Sequence, residues 1–345
     1  MARIKLAVVG AGLIGKTHVS RITAHPAAEL CAIVDPAPIG QTLAAEHGVP
    51  WFPGVDAMLS RLRPDGVIVA TPNQLHVQHG LACIAAGIPL LVEKPIADDS
   101  ASALTLVAAA GRAGVALLVG HHRRHNPLIQ RARAAIDSGQ LGSIVAVHGQ
   151  CWFYKPDDYF LPDWRRARGA GPVFVNAIHD VDLMRYLCGE IVSVQAMESS
   201  AQRGFAVEDT AVALLRFESG ALGTLTLSDT IVAPWSWELT SAENAAYPPT
   251  QESCYSIGGT LGSLALPSLA SWSYRGKPDW WQPIGHERLN YQPDEPLLLQ
   301  IRHFCEVIAG REQPLVSGHE GLKTLRVVEA IKAAAATGQP MMVAT

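Results

Sequence analysis

The sequence predicts an α/β protein in which an N-terminal doubly wound parallel sheet is followed by a second α/β domain. Three observations lead there. At 345 residues the chain exceeds the usual size of one domain, so two are expected. Short apolar strands alternate with helical segments through roughly the first 120 residues, the pattern of a parallel sheet with helical crossovers. After that, strand-like stretches follow in succession, which fits an antiparallel sheet with one face available to pack.

"IKLAVV" (4–9) reads as a buried strand. It runs into "GAGLIGKTHVSRITAH", where Gly10, Gly12 and Gly15 give G-x-G-x-x-G and Leu13, Ile14 and Val19 open a helical pattern. A second strand, "LCAIVD" (30–35), ends in Asp35, 20 residues beyond Gly15. Strand, glycine turn, helix, strand and terminal acid form the dinucleotide-binding fingerprint. Gly10 permits the tight turn, Gly12 lets a pyrophosphate approach the backbone, and Gly15 lets helix and strand pack closely. The helix N-terminus, with Leu13 and Ile14, offers N–H groups and a positive dipole to phosphate. Asp35 can accept from both hydroxyls of an adenine ribose and would repel a 2′-phosphate, so NAD is expected over NADP.

The alternation continues through "PDGVIVAT" (64–71, strand), "QLHVQHGLACIAAG" (74–87, helix) and "IPLLVE" (88–93, strand). "DSASALTLVAAAGRAG" (99–114, helix) and "VALLVG" (115–120, strand) complete it. In such sheets ligands bind beyond the C-terminal ends of the strands. Thr71, Pro72 and Asn73, with His76 close behind, and Glu93 and Lys94 lie at such ends and are read as cofactor contacts. Lys94 is placed at the nicotinamide half of the cleft. The domains are expected at 1–121 and 122–345, with the C-terminal helix packing back on the first.

Composition narrows the partners. With 48% hydrophobic and 17% charged residues the chain is globular rather than disordered. A net charge of −4 gives no basic field for nucleic acid or an anionic membrane, which leaves small molecules as the expected ligands. Six cysteines without C-x-x-C spacing suit a reducing compartment and neither a disulfide frame nor a zinc site. The opening "MARIKLAVVG" has the charge pattern of a secretory leader, but its spaced glycines and the lack of a small-residue cleavage site argue against one. No apolar run has transmembrane length. A cytoplasmic protein is expected.

In the second half, "PLIQRARAAIDSGQLG" (127–142) reads as a helix. Strand-like stretches follow at 143–153, 192–198, 210–228 (with a hairpin turn near Gly220) and 236–242; the Pro- and Trp-rich segment 267–296 reads as loop. Two helices end the chain. "HHRRHNP" clusters three histidines with two arginines that would repel a metal cation, so no metal is expected. Because the segment leaves a strand's C-terminal end, His122 or Arg123 is read as touching substrate or cofactor. Tyr154, Trp164 and Arg165, in the polar aromatic loop 154–171, could clamp a hydroxylated ring or the nicotinamide amide, or form an interdomain or oligomer contact. In "VFVNAIHDVDLMRYLCG", spacing sets Asn176 and His179 on one helical face. On spacing alone that histidine is either structural or catalytic.

Together "VVGAGLIG", "TPNQLH" (71–76), "GIPLLVEKPIA" (87–97) and "GAGPVFVNAIHDVDLMRYLCGEI" (169–191) resemble the glucose–fructose oxidoreductase, inositol dehydrogenase and MocA-like family. The resemblance implies a Rossmann domain followed by an α/β domain with a large, mostly antiparallel open sheet often used in oligomers, here a dimer or tetramer. It implies pyridine-nucleotide oxidoreduction of sugars, polyols or related ring alcohols, with Lys94 and His179 catalytic and a cis Lys94–Pro95 bond. Asn176, on the histidine's face, is read as offering its carbonyl or amide to a substrate hydroxyl. One departure stands out. Many relatives carry Asp four residues before the histidine, where this chain has Val175. The alternatives are a glycosidase acting by transient oxidation on a held NAD, and a catalytically silent NAD-sensing regulator.

Overall fold

The structure is a computed structural model describing residues 3–344. Its first half alternates strands β1 (Ile4–Val9), β2 (Ala28–Val34), β3 (Trp51–Phe52), β4 (Gly66–Val69), β5 (Leu90–Val92) and β6 (Leu117–Val119) with helices. These are α1 (Leu13–Ala24), α2 (Pro38–His47), α3 (Val55–Leu59), α4 (His76–Ala85) and α5 (Ser100–Ala113). All strands run parallel, in the order β3-β2-β1-β4-β5-β6, so their C-terminal ends share one edge. The sheet is apolar because it is covered on both faces: β4, β5 and β6 are buried at every residue.

The second half contains α6 (Pro127–Asp137), β7 (Ile144–Trp152), α7 (Ile178–Cys188), β8 (Ile191–Ser199), β9 (Thr210–Phe217), β10 (Leu222–Ser228) and α8 (Trp237–Thr240). It continues with β11 (Tyr255–Gly259), β12 (Gly262–Leu266), β13 (Ala270–Ser273), β14 (Gly285–Arg288), α9 (Pro296–Ile308), α10 (Gly318–Thr337) and β15 (Met341–Met342). The nine-stranded sheet has the order β14-β13-β12-β11-β7-β10-β9-β8-β15, and only the β7–β10 pairing is parallel. β9 alternates buried and exposed residues along its length, the mark of a sheet packed on one face. The β9–β10 hairpin turns at Gly220, whose φ of +90° explains the glycine.

Two segments depart from the sequence reading. The stretch 236–242 is helical at α8, not a strand, because Ser236 accepts a hydrogen bond from the Leu239 N–H and starts a turn of helix. The segment 267–296 is not all loop, since it contributes β13 and β14 as edge strands. Strands this short leave little alternation to read.

The chain divides into two compact units. The first holds everything described up to His125 together with Glu295–Leu325; the second holds Asn126–Asp294 and the chain from Arg326. The segment 295–325, which the 121/122 boundary put in the second domain, thus joins the first. The reason is apolar. Ile301, Phe304 and Cys305 of α9 are buried in one cluster with Leu6, Ile33 and Ile68 of the parallel sheet. A Cβ on Gly66 would lie 3.0 Å from the Phe304 ring, so helix and strand pack without a gap. Phe304→Ala is therefore expected to destabilise the first unit by about 3–5 kcal/mol, read as a lowered urea midpoint. A loss below about 1 kcal/mol would mean that α9 is not part of this core.

Candidate active site

The glycine turn after β1 is shaped by what glycine leaves out. Gly10 has φ +101°, and a Cβ there would come within 2.5 Å of the Ala70 carbonyl oxygen. A Cβ on Gly15 would lie 1.9 Å from the Gly10 carbonyl oxygen, so α1 reaches β1 only without a side chain. At Gly12 a Cβ would meet nothing within 4 Å, and the backbone is open there. No side chain caps α1 at Gly12, so its first N–H groups face that open side. This is a seat for an anion such as pyrophosphate.

Asp35 closes the same site. Its Oδ2 accepts from Ala11 N at 2.7 Å and its Oδ1 from Ala37 N at 2.8 Å. The carboxylate thereby fastens the turn after β1 to the turn after β2, and each oxygen keeps a further lone pair for a ribose hydroxyl. Gly10, Gly12, Asp35, Thr71 and Pro72 line one cleft of about 450 Å³. His79, which the sequence did not single out, joins them, its Nδ1 lying 3.3 Å from Thr71 Oγ1. Leu13 is 89% exposed at the start of α1, Ile14 is half-buried beside it, and Asn73 opens a short 3₁₀ turn before α4.

At the end of β5 the Glu93 carboxylate turns inward. Its Oε1 is 2.7 Å from Nε2 of the fully buried His18 on α1, and its Oε2 accepts from Lys94 N at 3.1 Å. Gly120, just past β6, leaves the necessary room, since a Cβ there would fall 2.9 Å from the carboxylate. Burial is the strongest single influence on Glu93 and raises its pKa. The His18 hydrogen bond and the charges of His18, Lys94 and His122 together outweigh it and bring the pKa down to about 2. Lys94 is half-buried next to this anion, and the Lys94–Pro95 bond is cis. The carboxylate of Glu93, a residue read as a cofactor contact, holds the strand end that presents Lys94.

His76, also read as a cofactor contact, is enclosed as well. It is 1% exposed, with Nδ1 2.8 Å from Pro95 O and Nε2 2.8 Å from Thr71 O. Two carbonyls call for an imidazolium with two N–H groups, but burial lowers the pKa and outweighs the carbonyls and Glu93. Through Nδ1 and Pro95 O the ring ties the segment after β4 to that after β5. In the adjoining 3₁₀ turn, Arg123 is buried and His122 half-buried.

In the second unit, the approach to α7 is not regular. Residues Val173–Ala177 form a single π-helical turn that passes directly into α7 at Ile178. Such turns are rare and recur at functional sites. Asn176 ends up in the π turn and His179 in the first turn of α7, both 8% exposed, so the predicted helix is present but its head is wider than an α-helix. Val175 is half-buried in the same turn. Glu208 accepts from Val173 N at 3.1 Å, in space that Gly171 leaves by having no side chain, and Lys332 Nζ lies 2.7 Å from its other oxygen. At the next position along α7, Asp180 accepts a hydrogen bond from the Tyr255 hydroxyl of β11.

Of the two polar ends of the Asn176 side chain, the carbonyl oxygen already has a partner within the protein. Lys155, 4% exposed, donates to Asn176 Oδ1 at 2.9 Å and lies 4.0 Å from Asp229 Oδ2. Burial lowers the Lys155 pKa, which Asp229 partly offsets. Arg203 completes the group by donating to Asp229 Oδ1 at 2.9 Å. Arg165 donates to Tyr159 O and stacks 4.1 Å above that residue's ring, so much of its guanidinium is engaged within its own loop. Tyr154 and Trp164 are 46% and 60% exposed on the same loop.

His18, Gly120, Lys155 and Glu208 were not singled out from sequence. His18 did leave a trace: it sits three residues after Gly15 on the buried face of α1, beside Val19 and Ile22, where a polar side chain needs a partner. Among the described residues, no group of three or more His, Cys, Asp or Glu could hold a metal ion, and no helix is long and apolar enough to cross a membrane.

A parallel sheet with an open glycine turn, an uncapped helix and a braced acid around one cleft defines a dinucleotide-binding α/β domain, here followed by a large mixed sheet. Comparison with known proteins makes the class particular. The model described as oxidoreductase family, NAD-binding Rossmann fold, matches residues 4–121, and that of the GFO/IDH/MocA C-terminal domain matches 129–265. The chain belongs to the GFO/IDH/MocA family of oxidoreductases. It is 28% identical over 348 residues to 1,5-anhydro-D-fructose reductase of Ensifer adhaerens, covering 97% of this chain and 98% of that one. It is 30% identical over 228 residues to 4-carboxy-2-hydroxymuconate-6-semialdehyde dehydrogenase of a Sphingobium strain, 65% of this chain and 72% of that one. The WlbA dehydrogenase of Bordetella pertussis, solved with NADH and UDP-GlcNAcA, superposes with a TM-score of 0.80 at 26% identity, over 99% of each chain.

The Glu93 pair has a testable pH signature. A carboxyl held at about 2 in the folded chain, against an ordinary 4.5, adds stability above about pH 4.5 and loses it as pH falls through about 2. The urea midpoint of the parent is expected to drop across that window, and that of Glu93→Gln to drop less. Equal slopes for the two proteins would show that the buried carboxylate does not carry the effect.

Proposed function

We propose that this chain is an NAD-dependent dehydrogenase oxidising a secondary alcohol of a sugar, cyclitol or other polyhydroxylated ring. The observation that carries this reading is the placement of Lys94. It stands on the sheet edge that also bears the glycine turn and Asp35, on a strand end held by Glu93 and His18. The residues fit a dinucleotide, since the open backbone at Gly12 and the uncapped α1 suit its pyrophosphate. Bound there, the dinucleotide supplies the two-electron acceptor. Names among the relatives agree with a sugar-derived alcohol, from anhydrofructose reductase to inositol 2-dehydrogenase.

Lys94 then acts as the cation that stabilises alkoxide character on the reacting oxygen or relays its proton, and His179 as the base that takes the hydroxyl proton. No carboxylate stands at position 175 to share that proton. Self-association as a dimer or tetramer is expected through the open face of the nine-stranded sheet. There Leu214 and Leu222 are more than half exposed and line a groove of about 670 Å³. Turnover on a panel of polyols, aldoses and dihydrodiols, followed by NADH absorbance, tests the reaction class. Sugar release without net NADH would point to the transient-oxidation glycosidase instead, and NAD binding without any turnover to a sensor.

For the cofactor, NAD is expected to bind more tightly than NADP, and Asp35→Ser to narrow the gap by roughly tenfold to a hundredfold, the value of charge-assisted hydrogen bonds at about 1.5–3 kcal/mol. A parent that prefers NADP overturns the assignment of Asp35. For the chemistry, Lys94→Ala and His179→Ala are each expected to lower turnover by about 10²–10⁴ with NADH affinity intact. Only the His179 variant should also lose the acidic limb of the pH–rate profile. Arginine at 94 should rescue poorly, because its planar, permanently charged group cannot relay a proton. Parent-like turnover in either alanine variant removes that residue from the mechanism.

A further inference from the structure

We infer that Lys155 is a positioning residue, locking the Asn176 amide so that it meets substrate as a hydrogen-bond donor only. The inference rests on the dehydrogenase reading and deepens it by stating what kind of oxygen this part of the site recognises.

The chemistry of the two groups settles the orientation. An ammonium has three donors and no acceptor, so the Asn176 atom 2.9 Å from Lys155 Nζ must be the carbonyl oxygen. The opposite flip would set N–H against N–H in a buried place. Lys155 is itself fixed. It is 4% exposed, its Nζ lies 4.0 Å from Asp229 Oδ2 and 5.1 Å over the Tyr159 ring, and its main-chain N–H donates to Asp229 O at 2.9 Å. Arg203 pins the same Asp229 and also donates to Lys155 O at 2.7 Å. The ammonium therefore has one place to be.

Asn176 in turn sits in the π turn immediately before His179, and among the described residues its side chain makes only the bond from Lys155. Its Nδ2 protons stay available, and a cation on the carbonyl polarises the amide and strengthens those donors. The partner is thus an acceptor: a carbonyl, ether or carboxylate oxygen, or the reacting oxygen as it gains negative charge. A substrate hydroxyl there accepts rather than donates. Asn176 touches substrate in this scheme, and Lys155 acts through it.

The test compares Asn176→Asp, Lys155→Met and the double variant with the parent. Asn176→Asp keeps the shape and the bond from Lys155 but has no N–H to offer. It is expected to raise KM for the best polyol about tenfold or more, the loss of a donor with an acceptor put in its place. Lys155→Met frees the amide to flip and should raise KM about three- to tenfold with smaller changes in kcat, the range of one neutral hydrogen bond. The double variant should match Asn176→Asp within about twofold, because orientation no longer matters once the donors are gone. NADH affinity and stoichiometry, which report folded protein, should be unchanged throughout.

A parent-like KM in Asn176→Asp, or a double variant equal to the product of the singles, overturns the inference. If Lys155→Met does not fold, Asn176→Asp alone decides. A second readout needs no turnover. In ¹H–¹⁵N spectra of the NADH complex, the Asn176 amide pair, identified by its loss in Asn176→Asp, should shift and exchange faster with solvent in Lys155→Met or, failing that, Lys155→Ala. An unchanged pair overturns the lock even if no polyol is oxidised, whereas a panel without turnover beside a shifted pair would count against the dehydrogenase reading alone.

Discussion

The buried carboxylate of Glu93 is the constraint around which the first unit is arranged. A carboxylate out of water costs several kcal/mol unless it is paired and hydrogen-bonded. Here the partner is His18, and that choice has consequences beyond the pair. His18 lies on α1, the helix whose N-terminus forms the open glycine turn, while Glu93 lies at the end of β5, next to Lys94. One hydrogen bond therefore fixes the anion-binding helix and the lysine-bearing strand end to each other. Gly120 is part of the same solution, because any side chain there would occupy the space of the carboxylate. His76 adds a second tie, between the segments after β4 and β5. The sheet edge is thus cross-braced by polar groups that are themselves out of reach of solvent.

The second unit reaches a similar rigidity by other means. The loop at 154–168 has no regular element beyond two 3₁₀ turns. Beside its turn hydrogen bonds it has cations laid on rings, Arg165 on Tyr159 at 4.1 Å and Arg203 on Phe160 at 4.2 Å. Each such stack contributes about 0.5–1 kcal/mol, more where water is excluded. At the head of α7 the Glu208 carboxylate meets the Val173 N–H, and Lys332 balances its charge. A negative group at the start of a helix also suits the dipole there.

Much of the first unit was legible in the sequence because its signals are local. β1 was read at its observed bounds, Gly10 and Gly15 are required by contacts of 2.5 and 1.9 Å that only glycine allows, and Asp35 stands where the spacing put it. Partners across the fold were not legible. His18 and Glu93 are 75 residues apart and Lys155 and Asn176 are 21 apart, and no pattern of period 2 or 3.6 links such pairs. Short elements failed for a different reason. In 236–242 the apolar alternation suggested a strand, but a serine cap decided the local geometry. β13 and β14, four residues each, are made by pairing with a neighbour rather than by their own composition.

Val175 ties these strands of argument together. A carboxylate at that position would need a partner of its own in a half-buried turn, and the nearby cation, Lys155, is already committed to Asn176 and Asp229. An apolar residue avoids that demand, and the polar work passes to the next position, where a neutral amide can accept from the lysine and still donate elsewhere. Each unit thus encloses one ion behind a polar neighbour. A carboxylate is enclosed behind Lys94 in the first, and an ammonium is enclosed behind Asn176 in the second. In each, an ion kept from water holds a neighbouring polar group in place, so the local order of both segments depends on side chains that solvent does not reach.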